Sequence, residues 1–403
     1  MGTQSSDERP GLLDGVRVVD LSHYLAGPHC TRLLADMGAE VIKVENPGVG
    51  DPERLVEIDD DGFSDTFIRY NAGKKSLAVD IRKPEGLAIT RELIRRSHVV
   101  IENRRPGSIA DLGLGYQELQ KLNPSIVMCS ISGYGQSGPF AQRGAYAGII
   151  QSWAGFTGLF RGADGAPKIM PMSLADINAG IHATAAICAA LFHCQRTGKG
   201  QFIDISMFDC MVSIIDRPLT RHLAHGKWKG RDFAGYGLLT EPYKCGDSYI
   251  HISLVSPADW GRITKAMGRP DLGQDPRFQT EEQRLQHAGH LRPILAEWFE
   301  SLGSAEKVIE VLDGAGVPVS LVATMKDVIK NPQFLARQLA VEIEEPFGTT
   351  NVIGSPFKFS DTEATVRGAA PALGQHTREI LEGVVGYDDS RINQLKERGI
   401  IGT

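Results

Sequence analysis

The sequence predicts an α/β fold: a Rossmann-like parallel sheet in a large domain, followed by a smaller α+β second domain. Two observations carry this. From Val16 to Ile205, short β-branched runs alternate with stretches of helical spacing, the rhythm of a parallel sheet covered by helices on both faces. After about residue 215 the texture changes, with a basic, aromatic, glycine-containing segment from Arg221 to Gly237 and a more strictly alternating strand beyond it. These shifts divide the chain into 1–215 as a large domain, 216–329 as a small one, and 330–403 as a segment returning to the large domain.

The run Val16 to Leu21 is the first strand, closed by the Gly27-Pro28 break. Cys30, Leu33, Leu34 and Met37 then share one face of a helix that Gly38 ends, and Val41 to Val44 is the next strand. A second round follows as Ser76 to Ile81, the helix Pro84 to Arg96 and the strand Val99 to Ile101. A third joins a helix around Tyr116 to Leu122 to the strand Ile126 to Ile131. The long helix Ile177 to Gln195 leads through the turn Thr197 to Gly200 into the strand Phe202 to Ile205. In the small domain, Tyr249 to Leu254 reads as a strand, and Ala258 to Met267 and Leu291 to Leu302 as helices.

The composition narrows the function. With 42% hydrophobic and 23% charged residues among 403, a sizeable core is available and wholesale disorder is excluded. A net charge of −6 argues against nucleic acid as a partner, since neutralising phosphates needs a concentrated basic surface. No apolar run reaches the ~18 residues of a bilayer span. The longest, Ala179 to Phe192, is broken by His182 and Thr184 and reads as a buried helix, so no membrane partner is expected. The polar N-terminus lacks a signal-peptide core; Gly2 and Ser6 fit a myristoylation pattern only formally. The six cysteines show no metal spacing and mostly lie in apolar contexts, which predicts free thiols and a cytoplasmic protein.

Familiar cofactor motifs fail one by one. The turn after the first strand, Ser22 to Pro28, holds a single glycine where a dinucleotide fingerprint needs three. Gly73-Lys74-Lys75-Ser76 lacks the upstream glycine of a phosphate-binding loop, and its lysines read as a solvated pair. Gly135-Gln136-Ser137-Gly138 runs into Pro139 and is no nucleophile elbow. The eleven histidines form no H-x-x-x-H pair, so no metal is expected.

What remains is Asp176, in Ser173-Leu174-Ala175-Asp176 ahead of the long helix. Asp is a favoured helix N-cap, and an N-cap is the plain reading. A carboxylate nucleophile held by the same helix terminus is the sharper one, and the two are compatible. The adjacent Arg104 and Arg105 suit phosphate oxygens, which guanidinium groups grip bidentately; a solvated basic loop is their plain reading.

Eight stretches, in order, carry a resemblance that spans Leu13 to about Ile400: LDGVRVVDLSHYLAGPHCTRLLADMGAEVIKVE, NAGKKSLAVDIRKPEG, IENRRPGSIADLGLGY, SISGYGQSGP, SLADINAG, TGKGQFIDISM, GSPFKFS and LGQHTREIL. The chain resembles the class III CoA-transferases, the formyl-CoA, carnitine and bile-acid CoA-transferase type. The resemblance implies Asp176 as the catalytic nucleophile, passing through an aspartyl anhydride and an aspartyl-CoA thioester. It implies coenzyme A or acyl-CoA as substrate, with no tightly bound cofactor. Leu25 and Ala26 match family positions for the lower part of CoA; Val79 to Arg82 and Asn103 to Arg105 match segments on the adenine side. Arg143 and Tyr146 match contacts at the thioester end. An interlocked homodimer is also implied, with small carboxylic acids as the other substrates.

The chain departs from the family in places. Asn46 and Asp111 stand where some members carry CoA-binding arginines, and Met172 stands where many have glycine, which narrows the expected pocket. The glycine-rich loop of formyl-CoA members is absent, Gly235-Tyr236-Gly237 being the nearest local candidate. The resemblance therefore leans to dicarboxylate members that use succinyl-CoA. Two other readings stay open. An α-methylacyl-CoA racemase needs opposed acid and base groups, typically His and Asp, but the corresponding place here reads Gly144-Ala145-Tyr146. A non-catalytic subunit, or a mere CoA-ester-binding protein, has no use for Asp176. Arg217, Arg221 and His222 are candidates for the acceptor carboxylate by charge alone.

Overall fold

A computed structural model describes residues 10–58, 62–160, 162, 164–215, 217–225, 242–252, 257–346 and 348–402. Gly2, Ser6 and the Gly235-Tyr236-Gly237 candidate lie outside the described residues. The chain forms two compact units, one of residues 1–220 with 337–403 and one of residues 221–336.

The first unit is built on a six-stranded, all-parallel sheet: β1 (Arg17–Asp20), β2 (Glu40–Glu45), β3 (Lys75–Ala78), β4 (Val99–Glu102), β5 (Val127–Ser132) and β6 (Phe202–Ser206), in the order β3-β2-β1-β4-β5-β6. Its helices are α1 (Ala26–Asp36), α2 (Asp65–Asn71), α3 (Pro84–Arg95), α4 (Ser108–Asp111), α5 (Tyr116–Leu122), α6 (Ala147–Trp153), α7 (Leu174–Thr197) and α8 (Met207–Ser213). Because alternate strand residues face opposite ways, Val18, Val41, Ile101 and Cys129 join the layer of α1, α6, α7 and α8. Val19, Ile42, Val100 and Met128 join the opposite layer, with α3, α5 and the C-terminal residues Ile380 to Ile401.

The C-terminal residues are sewn to the sheet by backbone bonds: Asp80 N–H donates to the Ile400 carbonyl at 2.9 Å, and Gly402 N–H to that of Ala78 at 3.0 Å. An antiparallel hairpin, Ala340–Glu345 with Gly348–Ile353, packs Ile343 and Val352 against Phe67 and Ile68 of α2.

The long apolar helix α7 has a stretch of mean hydropathy 1.4, enough by length and composition to cross a membrane. It packs along α1 and the sheet, burying Ala175, Ala179, Ala183, Ile187 and Ala190. Gly180 permits the close crossing of α1: a Cβ there would stand 2.8 Å from the Ala26 carbonyl oxygen. The second unit has a three-stranded antiparallel sheet (Tyr243–Cys245, Ser248–Ile252, Val319–Leu321) against helices that include Pro257–Ala266 and Ala288–Ser301.

Candidate active site

Neighbouring strands β1 and β4 leave the centre of the sheet in opposite directions of strand order, so the turns after them part and open a crevice at their carboxyl ends. The Leu21–Leu25 turn follows β1, and Asn103-Arg104-Arg105 follows β4. Asn103 ties the two together: its side chain accepts from His23 N–H at 2.8 Å and donates to the His23 carbonyl at 2.7 Å.

Buried charge shapes the first turn. Lys43 is fully buried, donates to the Ser22 carbonyl at 3.0 Å and pairs with Asp51 at 2.6 Å. Asp51 in turn accepts from Tyr24 N–H at 3.1 Å and fixes Tyr24 at a φ of 60°, a left-handed conformation rare outside glycine. Behind them Lys74 pairs with Asp20 at 3.1 Å and donates to the Pro28 carbonyl at 3.1 Å and the Asn71 side chain at 2.8 Å. Burial alone raises the Asp20 carboxyl, but Lys74, Lys43 and hydrogen bonds from Ser22 and Thr31 hold it far below the usual range. Burial also pushes Lys74 down to about 8 against the pull of Asp20. The expected solvated lysine pair is thus corrected: Lys74 is a buried anchor, and Lys75 bridges Glu40 and Glu379 at 2.9 and 2.7 Å. Gly27 is required, since a Cβ would fall 2.2 Å from that of Ser22.

The crevice is a cavity of about 490 Å³, within the range of small-molecule sites. Of the residues singled out in the sequence, Leu25, Ala26, Asn103, Arg104, Arg105, Arg143, Tyr146 and Asp176 line it. Arg143 stacks over Phe140 at 4.2 Å, which orients its guanidinium. Burial and the adjacent Arg104 bring His23 down to about 4, so the Arg104 contact at 3.3 Å is with a neutral ring. Val79 and Arg82 are not among the lining residues. Val79 is buried in the opposite core layer, its N–H given to the Glu45 carbonyl, and Arg82 pairs at the surface with Asp80 at 2.9 Å. Met172 is exposed and does not narrow this cavity.

Asp176 is the third residue of α7, in its first turn, and the N-cap is Ser173; the N-cap reading is therefore corrected. Neighbouring Ala175 N–H points to the Gln151 side chain at 3.4 Å, which ties α7 to α6. Burial lifts the Asp176 carboxyl to about 7, a bond from its own backbone amide opposes this, and the Glu53 charge adds to it. Near pH 7 it is poised between acid and carboxylate, and as a carboxylate it is poorly solvated at a helix N-terminus, a fit for a nucleophile. Sequence reasoning missed Glu53, Tyr24 and Met207, which also line the cavity. The only local sign for Glu53 was Asp51-Pro52, a start signal for the short 3-10 turn that carries it.

Three arginines and a raised carboxyl at a helix terminus line one cavity, an arrangement suited to an anionic ligand. The family model "CoA-transferase family III" matches residues 13–377, and the chain belongs to that family. It is 34% identical over 393 residues to human succinyl-CoA:glutarate CoA-transferase, covering 96% of this chain and 90% of that one. It is 33% identical over 404 residues to the succinyl-CoA–D-citramalate CoA-transferase of Chloroflexus aurantiacus, covering 98% and 100%. Among solved structures it is similar to a CaiB/BaiF family protein from Brucella suis, with TM-score 0.83 and 33% identity over 93% of this chain and 100% of that one. The chain is therefore a CoA-transferase, an enzyme whose substrates include acyl-CoA.

Proposed function

We propose that this enzyme moves CoA from an acyl-CoA donor, succinyl-CoA first among them, to a carboxylic or dicarboxylic acid, with Asp176 as nucleophile. The carrying observation is the placement of Asp176: half-buried, lifted to about 7, and lining one cavity with Arg104, Arg105 and Arg143. An Asp176 oxygen attacks the thioester carbonyl, the C–S bond breaks, and CoA thiolate leaves a mixed anhydride. The thiolate attacks the aspartyl carbonyl and expels the donor carboxylate, giving an aspartyl-CoA thioester. The acceptor carboxylate attacks that carbonyl, releasing thiolate and a second anhydride. Attack of thiolate on the acceptor's carbonyl yields the new acyl-CoA and restores Asp176. One thioester replaces another, so the sequence balances without ATP.

The arginines suit the phosphates of CoA, and relatives named for succinyl-CoA with glutarate or D-citramalate support the substrate class. No histidine lines the cavity among the described residues, which removes the usual partner from the racemase reading. A homodimer is part of the proposal, supported by apolar side chains left exposed on α6 and α7, among them Trp153, Ile181 and Phe192. A cytoplasmic setting is supported by six free cysteines. The test is chromatographic: succinyl-CoA with a panel of dicarboxylic acids and no ATP should yield succinate and a new acyl-CoA. Asp176→Ala should lower the rate by at least about 10³-fold. No transfer to any acid contradicts the reading.

A further inference from the structure

A second carboxyl in the cavity has no part in the chemistry above. Glu53 sits in the 3-10 turn Pro52–Leu55, where Asp51 accepts its N–H at 3.0 Å, so its backbone is fixed to the same buried cluster that sets Tyr24. The residue is only 4% exposed, yet it lines the cavity with Asp176. Its Oε1 accepts from the Thr66 hydroxyl at 2.5 Å, while Oε2 accepts no hydrogen bond from any described residue. One oxygen is thus held by Thr66 and the other is left open in the cavity wall, where a ligand or a water can fill it. The group that fills it must be a donor.

We propose that Glu53 selects the acceptor acid by accepting a hydrogen bond from a hydroxyl or amino group carried near the carboxylate that is to be activated. Resting on the transferase reading, this makes a hydroxy acid a better acceptor than the unsubstituted acid of equal length and charge. The Thr66 bond fixes the side chain through one oxygen and leaves the other for the ligand.

The test compares kcat/KM for 2-hydroxyglutarate and for glutarate, with succinyl-CoA as donor, in the wild type, Glu53→Gln, Glu53→Leu and Thr66→Val. Gln keeps the Thr66 bond through its carbonyl but turns an amide donor to the cavity; Leu removes both. Hydrogen bonds to charged groups predict a hydroxy-acid preference of about 10- to 100-fold in the wild type. Glu53→Leu should bring it close to unity, while Glu53→Gln, whose amide can still donate to the hydroxyl oxygen, and Thr66→Val should reduce it partway. Since both acids react with the same aspartyl thioester, any change at Asp176 itself cancels in the ratio. A wild-type ratio near one overturns the proposal. So does a preference that Glu53→Leu retains in full, or a rise in the KM for succinyl-CoA alone, which would place a pantetheine amide at Glu53. The Asp176 adduct, measured by mass spectrometry in the same samples, reports the donor half separately; its absence from the wild type contradicts the transferase reading, and this one with it.

Discussion

The proposed role of Asp176 as nucleophile rests on where the residue is held. Burial lifts it to about 7, so the carboxylate, the form the proposed attack requires, is the minority below that pH and the majority above it. For the free enzyme, kcat/KM should therefore fall on the acid side with an apparent pKa near 7, and Glu53→Gln should move that limb to lower pH by removing a like charge. The same shift bears on stability. The folded pKa lies above the ordinary value, so the folded state holds the proton more tightly, and that stabilisation is full at low pH and lost as pH rises through about 7. Asp176→Asn should melt higher than the wild type at pH 8, by about 2 °C or more, with the gap closing towards pH 5. Asp176 was legible in the sequence because a lone aspartate stood before a long apolar helix in a recognisable motif. Glu53 was not, because nothing local distinguishes it from a solvated turn residue until Thr66 and the cavity are in place.

The crossing of α1 and α7 converts helix packing into a site. The N-terminus of α1 carries Leu25 and Ala26, that of α7 carries Asp176, and Gly180 lets the two approach. Gly180→Ala would drive a methyl towards the Ala26 carbonyl at 2.8 Å, His29 Cδ2 at 3.0 Å and Cys30 N at 3.2 Å. The predicted cost is about 1–3 kcal/mol by denaturant unfolding, with a raised KM for acyl-CoA as Leu25 and Ala26 shift. The apolar period made α7 readable in sequence, but its start lay three residues earlier than the pattern implied. Ser173 is the N-cap, although its side chain makes no cap bond, and Asp176 three residues on is an equally favoured cap type, which drew the reading past the true start. The burial of Lys74 was equally hidden, since its partner Asp20 lies 54 residues away and only the fold brings them together.

At the scale of the molecule, the strand order places the site. Alternation of strands and helices made a parallel sheet legible, but which strands become neighbours is decided by long-range pairing that no local pattern encodes. The order β3-β2-β1-β4-β5-β6 sets the turns after β1 and β4 side by side, and there Asn103 closes on His23. The apolar side chains exposed on α6 and α7 call for a cover. In sedimentation equilibrium the 43.8 kDa chain should run as a dimer, and Phe192→Glu, which puts a charge on the exposed apolar face of α7, should shift it towards monomer. A wild-type monomer would contradict the homodimer.

The central claim is that Asp176 forms covalent bonds with both acyl group and CoA. The most direct measurement is mass spectrometry of the protein after incubation with succinyl-CoA and trapping with hydroxylamine, beside Asp176→Ala. A hydroxamate on Asp176 that is absent from the variant is the predicted result. An unmodified Asp176 across succinyl-CoA, acetyl-CoA and a mixed acyl-CoA panel would contradict it.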